Sequence, residues 1–257
     1  MKGGKNRQPL GYTIIEVMIV LAVSGLMFLI AADFISGKQA RTSFTAGTNQ
    51  TASDIQDVIE QVNDGKFSDI PLYCNASSTS LNISAVGPGS PDCTFLGKFL
   101  HFPYPSLATQ YETFSLAGAR EINGNPPTSL DSDLVTAIIS PDLTTQETTS
   151  QNLTVKDIQV TSPGFSGTVY GIGFVQSLGS TDGGSYISGA QTVELVYAPN
   201  LAVGDTTEAQ AAAQLSNLQP ASTAAICLTD GQRYAQIVLG TTNGNPLSAS
   251  VQVETTC

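Results

Sequence analysis

Glu16 stands alone in an apolar environment. From Tyr12 to Ala32 the chain reads YTIIEVMIVLAVSGLMFLIAA, and Glu16 is its single charged side chain. A carboxylate held in hydrocarbon costs at least about 2.5 kcal/mol, so this residue calls for a cationic partner. Cys74, Cys93, Cys227 and Cys257 are the second reactive set. Without C-x-x-C spacing or a nearby histidine they argue against zinc and for disulfides in an oxidising compartment. The one histidine, His101, lies in the apolar stretch Lys98-Phe99-Leu100-His101-Phe102 and reads as a packed or edge residue, not a base. Asp131-Ser132-Asp133 and Asp182-Gly183-Gly184 offer oxygen ligands but match no full calcium loop, so they read as solvated turns. No G-x-S-x-G, H-E-x-x-H, Walker A or dinucleotide fingerprint occurs in a useful context. No catalytic residue, cofactor or metal is expected, and the chain does not read as an enzyme.

The apolar run needs a helix to carry it. As a helix its 21 residues extend about 31 Å, enough to cross a hydrocarbon core of about 30 Å. Lys2, Lys5 and Arg7 precede it and no acid occurs in residues 1–11, which holds the N-terminal side in the cytoplasm and sends the rest outward. The 257 residues carry 10 Lys+Arg and 21 Asp+Glu, a net charge of −11. Without residues 1–11, seven basic residues face the same 21 acids, a net −14. That balance disfavours binding nucleic acid through a basic face. A charged content of 12%, with abundant Gly, Ser, Thr and Asn, suits an extracytoplasmic β-rich domain, and 41% hydrophobic residues can support its core.

Gly11-Tyr12-Thr13-Ile14-Ile15-Glu16-Val17-Met18-Ile19-Val20 resembles the N-terminus of type IV prepilins and type II secretion pseudopilins. The resemblance is close over residues 7–35 and elsewhere extends only to layout. It implies that a prepilin peptidase cuts between Gly11 and Tyr12 and that Tyr12 becomes the N-methylated terminus. Glu16, fifth after the cut, matches the glutamate that pairs with the amino terminus of a neighbouring subunit. Pairing that amine with this carboxylate would offset two desolvation costs. Gly25 falls where many members have glycine. The helix-breaking proline that many major pilins carry about twenty residues after the cut is missing; the matching stretch is Ala31-Ala32-Asp33-Phe34.

The expected fold class is α+β and pilin-like: a long N-terminal helix packed on a mainly antiparallel β-sheet head. Residues 1–11 form the leader, 12–33 the membrane and filament-core helix, 34–65 its amphipathic half, and 66–257 the head. Phe34, Ile35, Ile55, Val58, Ile59 and Val62 supply an apolar stripe, the last four at i, i+3, i+4, i+7. Gly37, Gly47 and the Thr-rich stretch 42–51 are weak helix formers where a bend is expected, and Asn63-Asp64-Gly65 is a stop signal. Strands are expected at Leu81–Val86, Leu96–Phe102, Val135–Ile139, Val155–Val160, Thr168–Gln176 and Thr192–Tyr197. A closing meander of Ala224–Leu228, Arg233–Leu239 and Leu247–Val253 turns at Asp230-Gly231 and Asn243-Gly244. Ala209–Leu218 suits a short surface helix. The cysteines allow three pairings, of which the local one, Cys74–Cys93 with Cys227–Cys257, is the expectation. The outer strands of a meander lie about 9.6 Å apart, so the tail beyond Glu254 must curl over the middle strand to bring Cys257 to Cys227. Pilin heads often carry such a bracket on the C-terminal sheet.

By this resemblance the chain is a structural subunit of a type IV pilus or related filament, and a minor one, given its large head and missing proline. The alternative is a pseudopilin of a type II secretion or DNA-uptake system; a signal-anchored binding domain is a third reading. Expected partners are the prepilin peptidase, other pilin or pseudopilin subunits, and membrane lipid along residues 12–32, with no nucleic acid. The expected location is the inner membrane as a single-pass protein, followed by a filament outside. Since the subunit that caps a filament tip often lacks the glutamate, Glu16 places this chain below the tip.

Overall fold

A computed structural model describes residues 13–65, 73–77, 80–84, 93–102, 109–119, 136–138, 145–176, 193–199, 201, 218–240, 247–254 and 256–257. One helix, α1 (Ile14–Asn63), spans 50 residues. It stops where Gly65 turns left-handed (φ 63°), a conformation glycine adopts without a Cβ clash. Asp64 N–H then donates to Glu60 O at 2.8 Å and Gly65 N–H to Val62 O at 3.1 Å. The Thr-rich stretch does not interrupt the helix. Thr42, Thr48 and Thr51 donate their hydroxyls to the carbonyls of Lys38, Phe44 and Gly47, at 3.1, 2.9 and 3.0 Å. Such back-bonding satisfies a hydroxyl without leaving the helix, which lets Thr48 and Thr51 be buried.

The chain divides into two compact units, one ending at Ser43 and the other beginning at Phe44. The second unit contains the sheets. In chain order its strands are β1 (Tyr73–Ser77), β2 (Ser80–Ser84), β3 (Cys93–His101), β4 (Gln110–Ala119), β5 (Thr136–Ile138) and β6 (Thr145–Thr148). A 3-10 turn at Ser150–Asn152 precedes β7 (Thr154–Ser162), β8 (Phe165–Thr168), β9 (Gly171–Gln176) and β10 (Val193–Tyr197). Then come β11 (Gln219–Pro220), β12 (Thr223–Thr229), β13 (Tyr234–Gly240) and β14 (Ser248–Glu254). All pairings among the described residues are antiparallel. β1 pairs β2; one sheet runs β11-β10-β9-β3-β4-β5 with β6 also on β4; the other runs β14-β13-β12-β7-β8.

The closing meander is present as β12-β13-β14, with β7 and β8 added at its β12 side. The Asp230 carboxylate accepts the N–H groups of Gln232 and Arg233 at 2.9 and 2.7 Å, which fixes the β12–β13 turn around Gly231. Three expectations change. The stretch Thr168–Gln176 is not one strand, because the chain switches sheets at Val169–Tyr170. Val169 N–H donates to Ile158 O beside β7, while Tyr170 O accepts Phe102 N–H beside β3. Among the described side chains the buried apolar stripe of α1 begins at Phe44, and Ile35 is 62% exposed; the Phe34 side chain lies outside the described residues. Strand β4 was not expected at all. It lies between β3 and both β5 and β6, with Tyr111 and Thr113 buried on one face and Phe114 and Leu116 on the other, so no polar–apolar alternation marks it. The Ala209–Leu218 helix and the Asn243-Gly244 turn fall outside the described residues, apart from Leu218.

The core forms where Phe44, Ala52, Ile55, Val58, Ile59 and Val62 of α1 meet the inner faces of both sheets, including Leu100, Ile172, Ile158, Ile226 and Ile237. A second apolar layer, with Phe99, Phe114, Leu116 and Val196, covers the other face of the β3-containing sheet. Polar contacts tie α1 to the rest. Gln176 donates to Val62 O at 2.7 Å, Ala249 N–H donates to Gln56 Oε1 at 3.0 Å, and Ser150 N–H donates to Thr51 Oγ1 at 3.3 Å. Gly47 seats the Ser150 turn, since a Cβ there would come 2.9 Å from Ser150 O.

Cys227 and Cys257 form a disulfide with Cα atoms 6.0 Å apart. Cys227 lies between the core residues Ile226 and Leu228 and so faces away from α1. Cys257 Sγ is 3.9 Å from Ala235 O of β13, so the tail does cross the middle strand. Closing a loop of 30 residues restricts the unfolded chain by about 3–4 kcal/mol in the chain-entropy treatment. The side chains of Cys74 and Cys93 are outside the described residues.

Candidate processing and assembly site

Thr13 opens α1 as its N-cap. Its carbonyl accepts Glu16 N–H at 3.0 Å and Val17 N–H at 3.3 Å, and its hydroxyl lies 3.4 Å from Glu16 N. Glu16 therefore occupies the third helical position, and Thr13-x-x-Glu16 has the spacing of a capping box. A carboxylate in the first turn also meets the positive end of the helix dipole, worth about 0.3–1 kcal/mol. Sequence reasoning assigned Glu16 to assembly alone and missed its place at the helix start, although the Thr-x-x-Glu spacing was there to read. Gly11 and Tyr12 lie outside the described residues.

The surface that follows is apolar and uncovered. Between Ile14 and Ile30 every large apolar side chain is at least 47% exposed, with Ile14 at 83% and Phe28 at 73%. None of the apolar window of this helix is buried, and the helix is long and apolar enough to cross a membrane. A continuous apolar surface of this length requires lipid or protein over it. Residues 7–32 match the prokaryotic N-terminal methylation motif. This is the prepilin-type cleavage and methylation signal. No curated protein and no solved structure matches the chain. The prepilin signal supports a pilin- or pseudopilin-type subunit, implies processing by a prepilin peptidase and assembly with other pilin subunits, and marks a structural family. With the apolar helix it is consistent with inner-membrane anchoring.

The other candidates fall elsewhere. His101 is buried in β3, between β4 and β9, and is not at a sheet edge. Its Nδ1 is 3.3 Å from Glu112 Oε2 on β4, and its ring centroid is 6.0 Å from that of Phe114. Asp131, Asp133 and Asp182 are outside the described residues. Among the described residues no three His, Cys, Asp or Glu side chains gather as a metal site.

One polar group was missed by sequence reasoning. Tyr111 donates its hydroxyl to Glu147 Oε2 at 2.6 Å, and these residues pair in register across β4 and β6. Burial above all, then the Glu147 hydrogen bond and the charges of Glu147 and Asp54, raise the Tyr111 phenol well above its ordinary value of 10.0. In the unfolded chain the phenol ionises near 10, while the folded chain keeps the proton. The stability owed to this group is therefore complete below pH 10 and falls as pH rises above it, by about 1.4 kcal/mol per unit. Tyr111→Phe should remove this component. Urea midpoints measured from pH 9 to about pH 11 should fall more steeply for the wild type than for the variant; parallel curves would contradict it.

Proposed function

We propose that this chain is a minor pilin of a type IV pilus or related filament. The prepilin peptidase removes residues 1–11, cutting between Gly11 and Tyr12, and N-methylates Tyr12. Residues 12–33 hold the protein in the inner membrane with the N-terminus cytoplasmic and the head, residues 66–257, outside. On assembly the Glu16 carboxylate takes the Tyr12 amine of a neighbouring subunit as partner, and the exposed apolar helix exchanges lipid for other helices. The work is mechanical, not catalytic. The supporting observation is the coincidence of the methylation motif over residues 7–32 with a capped, uncovered apolar helix that carries one carboxylate in its first turn.

A type II secretion pseudopilin would use the same signal. The head of about 190 residues and the missing proline favour a minor pilin over a major one; the partner system decides between pilus and secretion. The test is the mass and N-terminal sequence of the protein from its own cells, with and without prepilin peptidase. A chain starting at N-methylated Tyr12 with the peptidase, and uncut without it, is expected. A start near Ala32, or no dependence on the peptidase, would overturn the filament reading.

A further inference from the structure

Beyond its apolar run, α1 sorts its charges in the order that a lone helix disfavours. Between Phe34 and Ser53 stand two bases, Lys38 and Arg41, and no acid. From Thr42 to Gly65 stand four acids, Asp54, Asp57, Glu60 and Asp64, and no base. The acids therefore crowd toward the negative end of the helix dipole, where cations are preferred, and no base lies in the last turn. Lys38, Arg41, Asp57 and Glu60 are all exposed. Within each pair the spacing is three residues, which puts Lys38 with Arg41, and Asp57 with Glu60, on one helix face. Glu60 accepts an amide hydrogen bond from Gln56 at 3.4 Å, and among the described residues neither Asp57 nor Glu60 has a cationic partner. Asp57 follows Lys38, and Glu60 follows Arg41, by the same nineteen residues.

We propose that Lys38 and Arg41 of one chain dock on Asp57 and Glu60 of a second copy packed parallel to it, Lys38 on Asp57 and Arg41 on Glu60. This rests on the filament reading above and adds the surface that selects the axial shift between copies. The offsets are equal, so a single shift between parallel helices joins both pairs at once. The occupant is a second copy because the chain itself supplies both halves, of opposite charge and matched spacing. Copies anchored in one membrane are also parallel, and the methylation motif implies assembly with other pilin subunits. The two patches differ, so the contact is head-to-tail: each copy keeps one patch unused, and the contact repeats along a filament instead of closing a dimer. Exposed ion pairs are individually weak, so two in register act on the choice of shift more than on total strength. They also bring cations to the acidic end of α1, which offsets its unfavourable dipole.

The test is a charge swap, read as mature chain in sheared filaments against that in membranes. Three forms replace the wild type in its own cells: Lys38→Glu with Arg41→Glu, Asp57→Lys with Glu60→Lys, and all four substitutions together. Each double variant should lower the filament-to-membrane ratio by about tenfold, because two attractive pairs become repulsive. The fourfold variant restores both pairs with their signs exchanged and should return to within about threefold of the wild type. All four side chains are exposed, so the head should stay folded, and the mature chain recovered from membranes reports this. A wild-type ratio in either double variant would overturn the contact. So would a fourfold variant that stays as low as the doubles, the result expected if Lys38 and Arg41 serve lipid phosphates instead. Wild type absent from filaments altogether would sink the filament reading, and this contact with it.

Discussion

Gly97→Val should leave no stably folded head. Gly97 sits at an irregularity of β3, where the register against β4 shifts between Phe95 and Gly97. A Cβ at this position would stand 1.8 Å from Phe174 O and 2.8 Å from both Phe174 C and Val175 Cα. These are backbone atoms of the paired strand β9, so no rotamer change can make room. Relief requires separating β3 from β9, and β3 is also packed on one face by α1 and on the other by the Phe99 layer. Overpacking of this kind costs about 3 kcal/mol or more, a large part of the roughly 5–15 kcal/mol that holds a domain folded. Gly37→Ala is the matched control. No atom lies within 4 Å of a Cβ there, and alanine should favour the helix by about 0.5–1 kcal/mol. Thermal melts of both variants in detergent check this. A Gly97→Val melt within a few degrees of wild type would mean that the two strands do not approach as described.

Glu16→Leu should separate maturation from assembly. The substitution takes a carboxylate out of the membrane segment, which makes the anchored state more favourable by about 2.5–3.5 kcal/mol. It also removes the proposed partner of the Tyr12 amine. Both effects hold the chain in the membrane, so its filament-to-membrane ratio should drop by about 100-fold. The proposed cleavage after Gly11 should persist, because Glu16 lies five residues beyond Gly11 and residues 1–11 are unchanged. The readout is the amount of mature chain in sheared filaments against that in membranes. Equal incorporation of the variant would remove Glu16 from the assembly mechanism.

The parts legible in the sequence were those written in one local period. Ile55, Val58, Ile59 and Val62 repeat at helical spacing, and all four are buried. The meander was readable because each of its strands is flanked by turn residues, and one face of its sheet is solvated. Glu16 was conspicuous as the one charge in an apolar run. Strand β4 was hidden because burial on both faces erases alternation. The two-residue β11 is too short to carry any period. Tyr111, Glu147, Lys98 and Gln61 share no motif, and only the sheet order and the seat of α1 bring them together. Gly97 looked like an ordinary glycine, since the backbone it must admit, at Phe174, lies far along the chain.

The contacts that secure α1 also set a folding schedule. Its bonds run to partners 99, 114 and 193 residues away, at Ser150, Gln176 and Ala249. The helix emerges first during synthesis, yet the last strand that closes over it arrives near the end. Closing such distant contacts is slow, because loop entropy is lost before packing repays it. Throughout that interval the Ile55–Val62 stripe is an apolar surface without its cover, on a chain already tethered by its N-terminal segment. A chain held in that open form is exposed to proteases and to aggregation until β14 docks.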